Sequence, residues 1–233
     1  MVAKNGRGVQ DVMRDFVFGM EDGLVSNLGL VLGVYVGGGG SFAIVLAGLA
    51  SMFAGAFSMS AGSYLSAKSQ REVYEQEIKA TKEDLDKNPQ QCVRNMKSIL
   101  KKEGLGKKEI DLLFNTSSKY KHPQFVCNYM VQHKVGITEN KFDLPFHNAL
   151  TMFFSFLVGS AFPIAPFILF TDAKAAYIAP IVTIIILFLV GWAKTIFTKR
   201  NWFKSGLEIV VVGVVAGTIG YVVGWVLSLV QLK

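Results

Sequence analysis

Residues 23–67 read GLVSNLGLVLGVYVGGGGSFAIVLAGLASMFAGAFSMSAGSYLSA and contain no Asp, Glu, Lys or Arg. A helix needs roughly 20 apolar residues to cross a hydrocarbon core about 30 Å thick. This stretch is therefore long enough for two crossings, and the four glycines at positions 37–40 mark the break between them. The stretch lacks the apolar and polar alternation typical of strands in a membrane barrel, so helices are predicted.

Three further blocks without charged residues follow at 145–171, 175–193 and 209–232. The first apolar run extends back to about Phe16, and the whole pattern predicts five transmembrane helices. Their predicted limits are about 16–36, 42–66, 147–170, 175–194 and 207–230. Only 18% of the 233 residues are charged, where soluble domains have about a quarter. The predicted fold class is an all-α membrane protein, which makes an ordinary soluble enzyme a poor interpretation.

Basic residues predict the orientation of these spans. Lys and Arg concentrate in the N-terminal arm, in the segment between the second and third spans, and in the short link at 194–204. Since basic loops stay cytoplasmic, the N-terminus is predicted to be cytosolic and the C-terminus to lie outside or in a lumen. The net charge of +7 is then explained by topology and contact with anionic lipid. Nucleic-acid binding is not favoured, because acids are interleaved with the basic residues. The polar, basic first residues give no sign of a cleavable signal peptide.

The segment 68–146 is predicted to be a small cytosolic helical domain inserted between the second and third spans. A helix is expected at 68–87, continuing the second span without a breaker. Further helices are expected at 89–104, 107–115 and 123–135, with Pro and Gly residues at their limits. The chain thus divides into residues 1–67, 68–146 and 147–233. Too few large apolar residues occur in the inserted domain for confident independent folding, so it should pack on itself or on a partner subunit.

Glu21 and Asp22 are the first candidates for function, because they lie within the first predicted span. Intramembrane acids usually face a cavity or an ion path, since an ionised carboxylate in hydrocarbon is costly. Gly19 and Gly23 flank the pair and would let a backbone or a hydrated ion approach. The alternative is that the span begins later and both acids lie at the membrane interface.

Two further groups of residues could bind a metal. Met52 and Met59 are seven residues apart and share a helix face, and a thioether suits late first-row metals, although methionine is also a common core residue. Glu72, Glu75 and Glu83 could form a carboxylate face that holds a divalent metal, or a solvated face paired with nearby lysines. Cysteine and histidine residues show no zinc spacing, and no nucleotide-binding loop or hydrolase motif is present, so the sequence predicts no enzyme.

Small residues and prolines recur within the spans. Glycine repeats predict close helix packing and, as one option, a homodimer seam. They lie at Gly29 and Gly33; at Gly48, Gly55 and Gly62; and at Gly213, Gly217, Gly220 and Gly224. Pro163 and Pro166 each free a backbone carbonyl in the third span, which favours a kink and an ion path about equally.

Four blocks of sequence resemble the vacuolar iron transporter family. They are FGMEDGLVSNLGLVLGV at 18–34, AGLASMFAGAFSMSAGSYLS at 47–66, FLVGSAFPIAPF at 156–167 and SGLEIVVVGVVAG at 205–217. The resemblance covers essentially the whole chain with the same spacing between blocks. It implies five membrane helices per subunit, a homodimer and a cytosolic metal-binding domain between the second and third helices.

The resemblance also implies a function. Family members move Fe²⁺ or Mn²⁺ out of the cytosol, several of them by exchange with protons, so the metal is cargo and no cofactor is expected. Asp22 matches the pore carboxylate of the first helix and Met59 the pore methionine of the second. Glu72, Glu75 and Met130 resemble ligands of the metal-binding domain. The expected location is a multi-pass position in the cell membrane or an organelle membrane.

This sequence departs from the family pattern at several acids. Ser51 and Ser63 stand where some members carry a carboxylate, Gln91 and Asn95 replace a pair of domain glutamates, and Lys134 replaces an acid. Glu21 stands where the family usually has a neutral residue, which suggests that it supplies the missing pore charge. The alternatives are a non-transporting scaffold or regulator with the same fold, or a transporter of another cation.

Overall fold

A computed structural model describes residues 6–87, 89–116 and 145–231 of the chain, and those residues form helices and short turns without a strand. The helices, numbered here in chain order, are α1 (Gly6–Val36), α2 (Ser41–Lys87), α3 (Pro89–Lys102), α4 (Lys107–Thr116), α5 (Pro145–Leu169), α6 (Asp172–Thr198) and α7 (Trp202–Gln231). The predicted helix at 123–135 lies outside the described residues.

Five of these helices are long and apolar enough to cross a membrane, which confirms the predicted number of spans. The crossing segments are Val12–Val36, Ser41–Ala80, Pro145–Leu169, Asp172–Ile196 and Trp202–Val230. All five begin before their predicted limits, and the two largest extensions arise because helical structure continues into polar sequence. α1 begins at Gly6, and α2 runs without a break to Lys87.

Glycine and asparagine residues set the turns between spans. Gly38 adopts a φ of +87°, a conformation that a side chain disfavours, and it reverses the chain between α1 and α2. Gly39 donates its N–H to the Val34 carbonyl at 2.9 Å, which closes the end of α1. At the start of α7, the side-chain oxygen of Asn201 accepts the N–H of Phe203 at 3.0 Å, as a helix cap does.

Internal contacts divide the chain into two compact units. One unit comprises Met1–Ser66 with Leu144–Lys233, and the other comprises Ala67–Asp143. In the first unit, α1 lies in the centre and packs against α5, α6 and α7. Two apolar clusters form its core, one around Val31, Ile44 and Ile164, the other around Leu24 and Leu187.

Small residues allow α1 to lie very close to its neighbours. A methyl group added at Gly23 would lie 2.5 Å from the Phe156 carbonyl oxygen of α5. One added at Gly33 would lie 3.0 Å from the Gly220 carbonyl oxygen of α7. The predicted packing role of these glycines is confirmed, and the backbone approach expected beside Gly23 is made by α5.

The glycine repeat of α2 packs over only part of its length. Side chains added at Gly48 and Gly55 would touch Ile164 and Phe156 of α5, respectively, within 3 Å. Nothing lies within 4 Å of the same position at Gly62. The packing prediction therefore holds for Gly48 and Gly55, whereas Gly62 faces open space within the described part of the chain.

The second unit contains a helical hairpin of α3 and α4. Met96, Leu100 and Ile110 are buried between the two helices, and Gly104, with a φ of +96°, forms the turn. Lys97 donates to Asp111 at 2.8 Å, and this hydrogen bond and positive charge lower the pKa of the Asp111 carboxyl from its ordinary value.

Candidate functional site

A carboxylate is buried near the N-terminal end of the first span. Asp15 is only 3% exposed, and it accepts hydrogen bonds from Arg14 Nε at 3.1 Å and from Ser63 Oγ of α2 at 3.4 Å. A buried charge needs such partners to be tolerated. The sequence analysis missed Asp15 because it lies just before the predicted start of the span. Its separation of seven residues from Asp22 was the signal that could have found it.

The hydrogen bond from Ser63 to Asp15 joins α2 to α1. Seven residues further along α1, Asp22 lies on the same helix face as Asp15, since seven residues complete about two turns. After the glycine turn, α2 runs back along α1. The buried Ala56 lies two turns before Ser63 on α2, and Met59 lies between these two residues. Asp22 and Met59 are both partly buried. Asp22 and Met59 thus each share a helix face with one partner of the bond between Asp15 and Ser63, and their joint role in an ion path stays a prediction.

Glu21 lies in a different setting from Asp22. It lines a cavity of about 490 Å³ together with residues of α1 and the C-terminal part of α6. Lys194, Asp22 and Glu208 all interact electrostatically with the Glu21 carboxylate. One residue along a helix corresponds to a rotation of about 100°, so Glu21 and Asp22 point in clearly different directions. The proposed pore role of Glu21 stays a prediction.

Polar side chains are buried deeper in the bundle. Asn27 Nδ2 of α1 donates to Ser160 Oγ of α5 at 2.8 Å and to the Gly23 carbonyl at 3.2 Å. Both residues are completely buried, and the side-chain oxygen of Asn27 has no hydrogen-bond partner among the residues that the structure describes. The sequence analysis did not single out this pair, which depends on the close crossing at Gly23. α5 continues through Pro163 and Pro166 to Leu169.

The predicted metal ligands of the second unit are only partly described. Glu72 and Glu75 are exposed on α2 and form ion pairs one turn back along the same helix, Lys68–Glu72 at 3.8 Å and Arg71–Glu75 at 2.7 Å. Met130 lies outside the described residues. Among the residues whose placement is described, no three side chains of His, Cys, Asp or Glu converge on one point. Metal binding by Glu72, Glu75 and Met130 therefore stays a prediction.

The five long apolar helices, packed around buried polar and charged side chains, define a multi-pass integral membrane protein. Within that class the chain belongs to the VIT family, whose family model matches residues 13–225.

Named relatives agree with this assignment. The chain is 31% identical over 212 residues to vacuolar iron transporter 1 of Tulipa gesneriana, covering 91% of this chain and 85% of the relative. It is 28% identical over 212 residues to vacuolar iron transporter 1 of Eucalyptus grandis, covering 91% and 84%. Protein CCC1 of Saccharomyces cerevisiae is 26% identical over 212 residues, covering 88% of this chain and 66% of the relative.

Proposed function

We propose that this protein transports divalent transition-metal cations, Fe²⁺, Mn²⁺ or both, out of the cytosol in exchange for protons, without acting as an enzyme. The observation that carries the proposal is the buried carboxylate of Asp15, which lies on the same α1 face as Asp22 and accepts a hydrogen bond from Ser63 of α2, one turn from Met59. Relatives named vacuolar iron transporter support the choice of cargo.

The chemistry of this face suits a late first-row metal. Carboxylate oxygens supply the charge that compensates a divalent cation in the membrane, and intramembrane acids typically mark such paths. The thioether of Met59 is a softer ligand that favours Fe²⁺ over Mg²⁺ or Ca²⁺. In this proposal Asp15 receives the ion first, and Asp22 with Met59 binds it deeper in the membrane.

A homodimer would complete the site. α2 is the least buried of the five spans, and its apolar side chains Phe53 and Phe57 are largely exposed. A second copy packed on α2 would bring two Asp22 carboxylates and two Met59 thioethers toward one axis. Two carboxylates at close range favour sharing one proton. Binding of M²⁺ would release that proton, which gives a simple physical basis for exchange.

The second unit fits the role of a cytosolic metal-capturing domain. The positive-inside rule assigns it to the cytosol together with the N-terminus. Glu72, Glu75 and Met130 would collect the ion before it enters the membrane. The ion pairs of both glutamates are exposed and join flexible side chains, and such pairs contribute little to stability. A metal could therefore displace Lys68 and Arg71 at small cost.

The alternative of a non-transporting relative rests on the acids missing at Ser51 and Ser63. Asp15 weakens that argument, because its carboxylate lies within hydrogen-bonding distance of the Ser63 hydroxyl. A negative charge is thus present beside the position where some relatives carry an acid on the second helix.

Metal flux into proteoliposomes tests the proposal. The purified full-length chain is reconstituted, and uptake of Fe²⁺ and of Mn²⁺ is measured with and without a pH gradient, beside protein-free liposomes. We expect saturable uptake of at least one metal, accelerated when the gradient supplies protons on the side toward which the metal moves. Uptake equal to that of empty liposomes for both metals would favour the scaffold or other-cation interpretation.

A Glu21→Gln variant is expected to lose most of this transport while remaining folded. The carboxylate offsets the positive charge of Lys194 beside the path, and its removal would leave an ammonium group that repels an incoming cation. Initial uptake rates and elution in size-exclusion chromatography are the measurements. Uptake at the unmodified rate would reject a pore charge at Glu21 and leave this residue with a role in pairing Lys194.

A further inference from the structure

A second possible site lies on the side of α1 where Glu21 faces α6. The cavity already described has a volume of about 490 Å³ and will be called the Lys194 cavity. It is lined by Met13, Arg14, Val17, Phe18, Glu21, Lys194 and Thr198. Its volume falls in the range of small-molecule sites. Apolar side chains and charged groups share its walls, so its occupant should be amphipathic.

Aromatic residues place the mouth of the cavity at the membrane interface. Trp192 and Trp202 are about half exposed at the same end of the bundle, and tryptophan concentrates at the boundary between hydrocarbon and headgroups. The Trp202 ring packs edge-on against Phe188 and Phe203, with ring centroids 6.1 and 5.7 Å apart. These contacts hold the indole near the polar turn at residues 199–201, which directly follows the cavity-lining residue Thr198 in the chain.

The length of the cavity exceeds the headgroup layer. Its lining on α1 runs from Met13 to Glu21, and eight residues of helix span about 12 Å. Headgroups occupy only about 5–7 Å on each side of a bilayer. The cavity therefore extends from the headgroup layer into the adjoining part of the hydrocarbon core. There, Val17 and Phe18 form an apolar part of its wall. A free phosphate ion would fill only the outer part.

Positive charge is arranged around the outer part. Lys194 lines the cavity, and Lys199, Arg200 and Lys204 are exposed at the α6–α7 turn beside it. Of the nearby acids, Glu21 interacts electrostatically with both Lys194 and Glu208, and Asp15 is bonded to Arg14. These acids lie elsewhere on the helices, whereas residues 199–204 carry three cations and no acid. Basic pockets between membrane helices bind anionic lipid headgroups.

We propose that the Lys194 cavity binds one anionic glycerophospholipid, with its phosphate near Lys194 and the α6–α7 turn and its upper acyl chain against Val17 and Phe18. The lipid would join α1 to α6. It would be a structural ligand and not a transported ion.

Lipid binding to the delipidated full-length chain in detergent is the test. Native mass spectrometry measures binding of phosphatidylglycerol and of phosphatidylcholine with identical acyl chains. We expect phosphatidylglycerol to bind at least about fivefold more tightly, and Lys194→Gln to remove most of that preference, as follows from the usual strength of one lysine at an anionic surface. Thr198→Trp, which fills the mouth and keeps every charge, should weaken binding of both lipids.

Lys174→Gln is the matched control, because Lys174 is an exposed lysine at the opposite end of the same helix α6. It should leave the lipid preference unchanged. Equal binding of the two lipids, or an equal loss in Lys174→Gln, would overturn the proposal. Displacement of phosphatidylglycerol by soluble glycerol phosphate would also overturn it and indicate a site for free anions. If Lys194→Gln does not fold, Thr198→Trp decides, and unchanged binding by that variant rejects the site.

Discussion

Replacing Asp22 by Asn should lower metal uptake into proteoliposomes by about a hundredfold or more, with little effect on folding. The amide has the shape of the carboxylate and lacks its charge, and a hydrogen bond or ligand contact to a charged group contributes about 1.5–3 kcal/mol. Two subunits would lose two such contacts, so the combined effect corresponds to a hundredfold or more. Initial rates of Fe²⁺ and Mn²⁺ uptake measure it.

Asp172→Asn is the matched control for this variant. Asp172 lies in the first turn of α6, at the end of the bundle opposite Asp15, and it accepts a hydrogen bond from Ser41. The chemical change is the same, and we expect only a small effect on uptake. Wild-type uptake by Asp22→Asn, or equal losses in both variants, would remove Asp22 from the proposed path. Size-exclusion elution of each variant separates lost function from lost folding.

The spans were predictable because charge is absent where the chain must enter hydrocarbon. Apolarity alone cannot locate the ends of the helices, since a helix can continue into polar sequence while its backbone hydrogen bonds remain formed. α1 therefore begins at Gly6, ten residues before the predicted start at Phe16, and α2 extends through the charged residues up to Lys87. The sequence predicted that continuation of α2, because no Gly or Pro interrupts residues 63–87.

The sequence predicted individual residues of the candidate site but not their arrangement in space. Asp22 and Met59 stand out in sequence, because a charge and a soft ligand occur within apolar helices. The contact between Asp15 and Ser63, which joins residues 48 positions apart, is the observation that relates the helices carrying them. No periodicity within one helix encodes that register. The electrostatic interaction of Glu21 with Lys194 likewise depends on the packing of α6 and could not be predicted from the sequence of α1.

For the close helix crossings, too, the sequence shows which glycines share a helix face, but not which of them have a neighbouring helix. The spacing of Gly48, Gly55 and Gly62 correctly places them on one face of α2. Periodicity does not tell which part of a face has a neighbour, and Gly62 has none within 4 Å. The bond between Asn27 and Ser160 has a similar origin, since it forms only where Gly23 allows α5 to approach α1.

Gly23→Ala should strongly destabilise the membrane bundle. The new methyl group would lie 2.5 Å from the Phe156 carbonyl oxygen and 2.9 Å from the Ser160 backbone nitrogen. Neither backbone atom can move away unless α5 separates from α1, which would also stretch the hydrogen bond from Asn27 to Ser160. Overpacking of this kind typically costs about 1–3 kcal/mol, which corresponds to a decrease in Tm of about 2–12 °C. Thermal unfolding of the detergent-solubilised protein measures it.

Gly62→Ala provides the comparison, because it adds the same methyl group to another membrane helix where nothing lies within 4 Å. Alanine also favours helix over glycine by up to about 1 kcal/mol, so this variant should be as stable as the parent or slightly more stable. The difference between the two variants isolates the steric cost at the α1–α5 crossing from the general effect of replacing a helical glycine. Equal Tm values for Gly23→Ala and Gly62→Ala would mean that α1 and α5 lie farther apart than described. The hydrogen bond between Asn27 and Ser160, which depends on that approach, would then be in doubt as well.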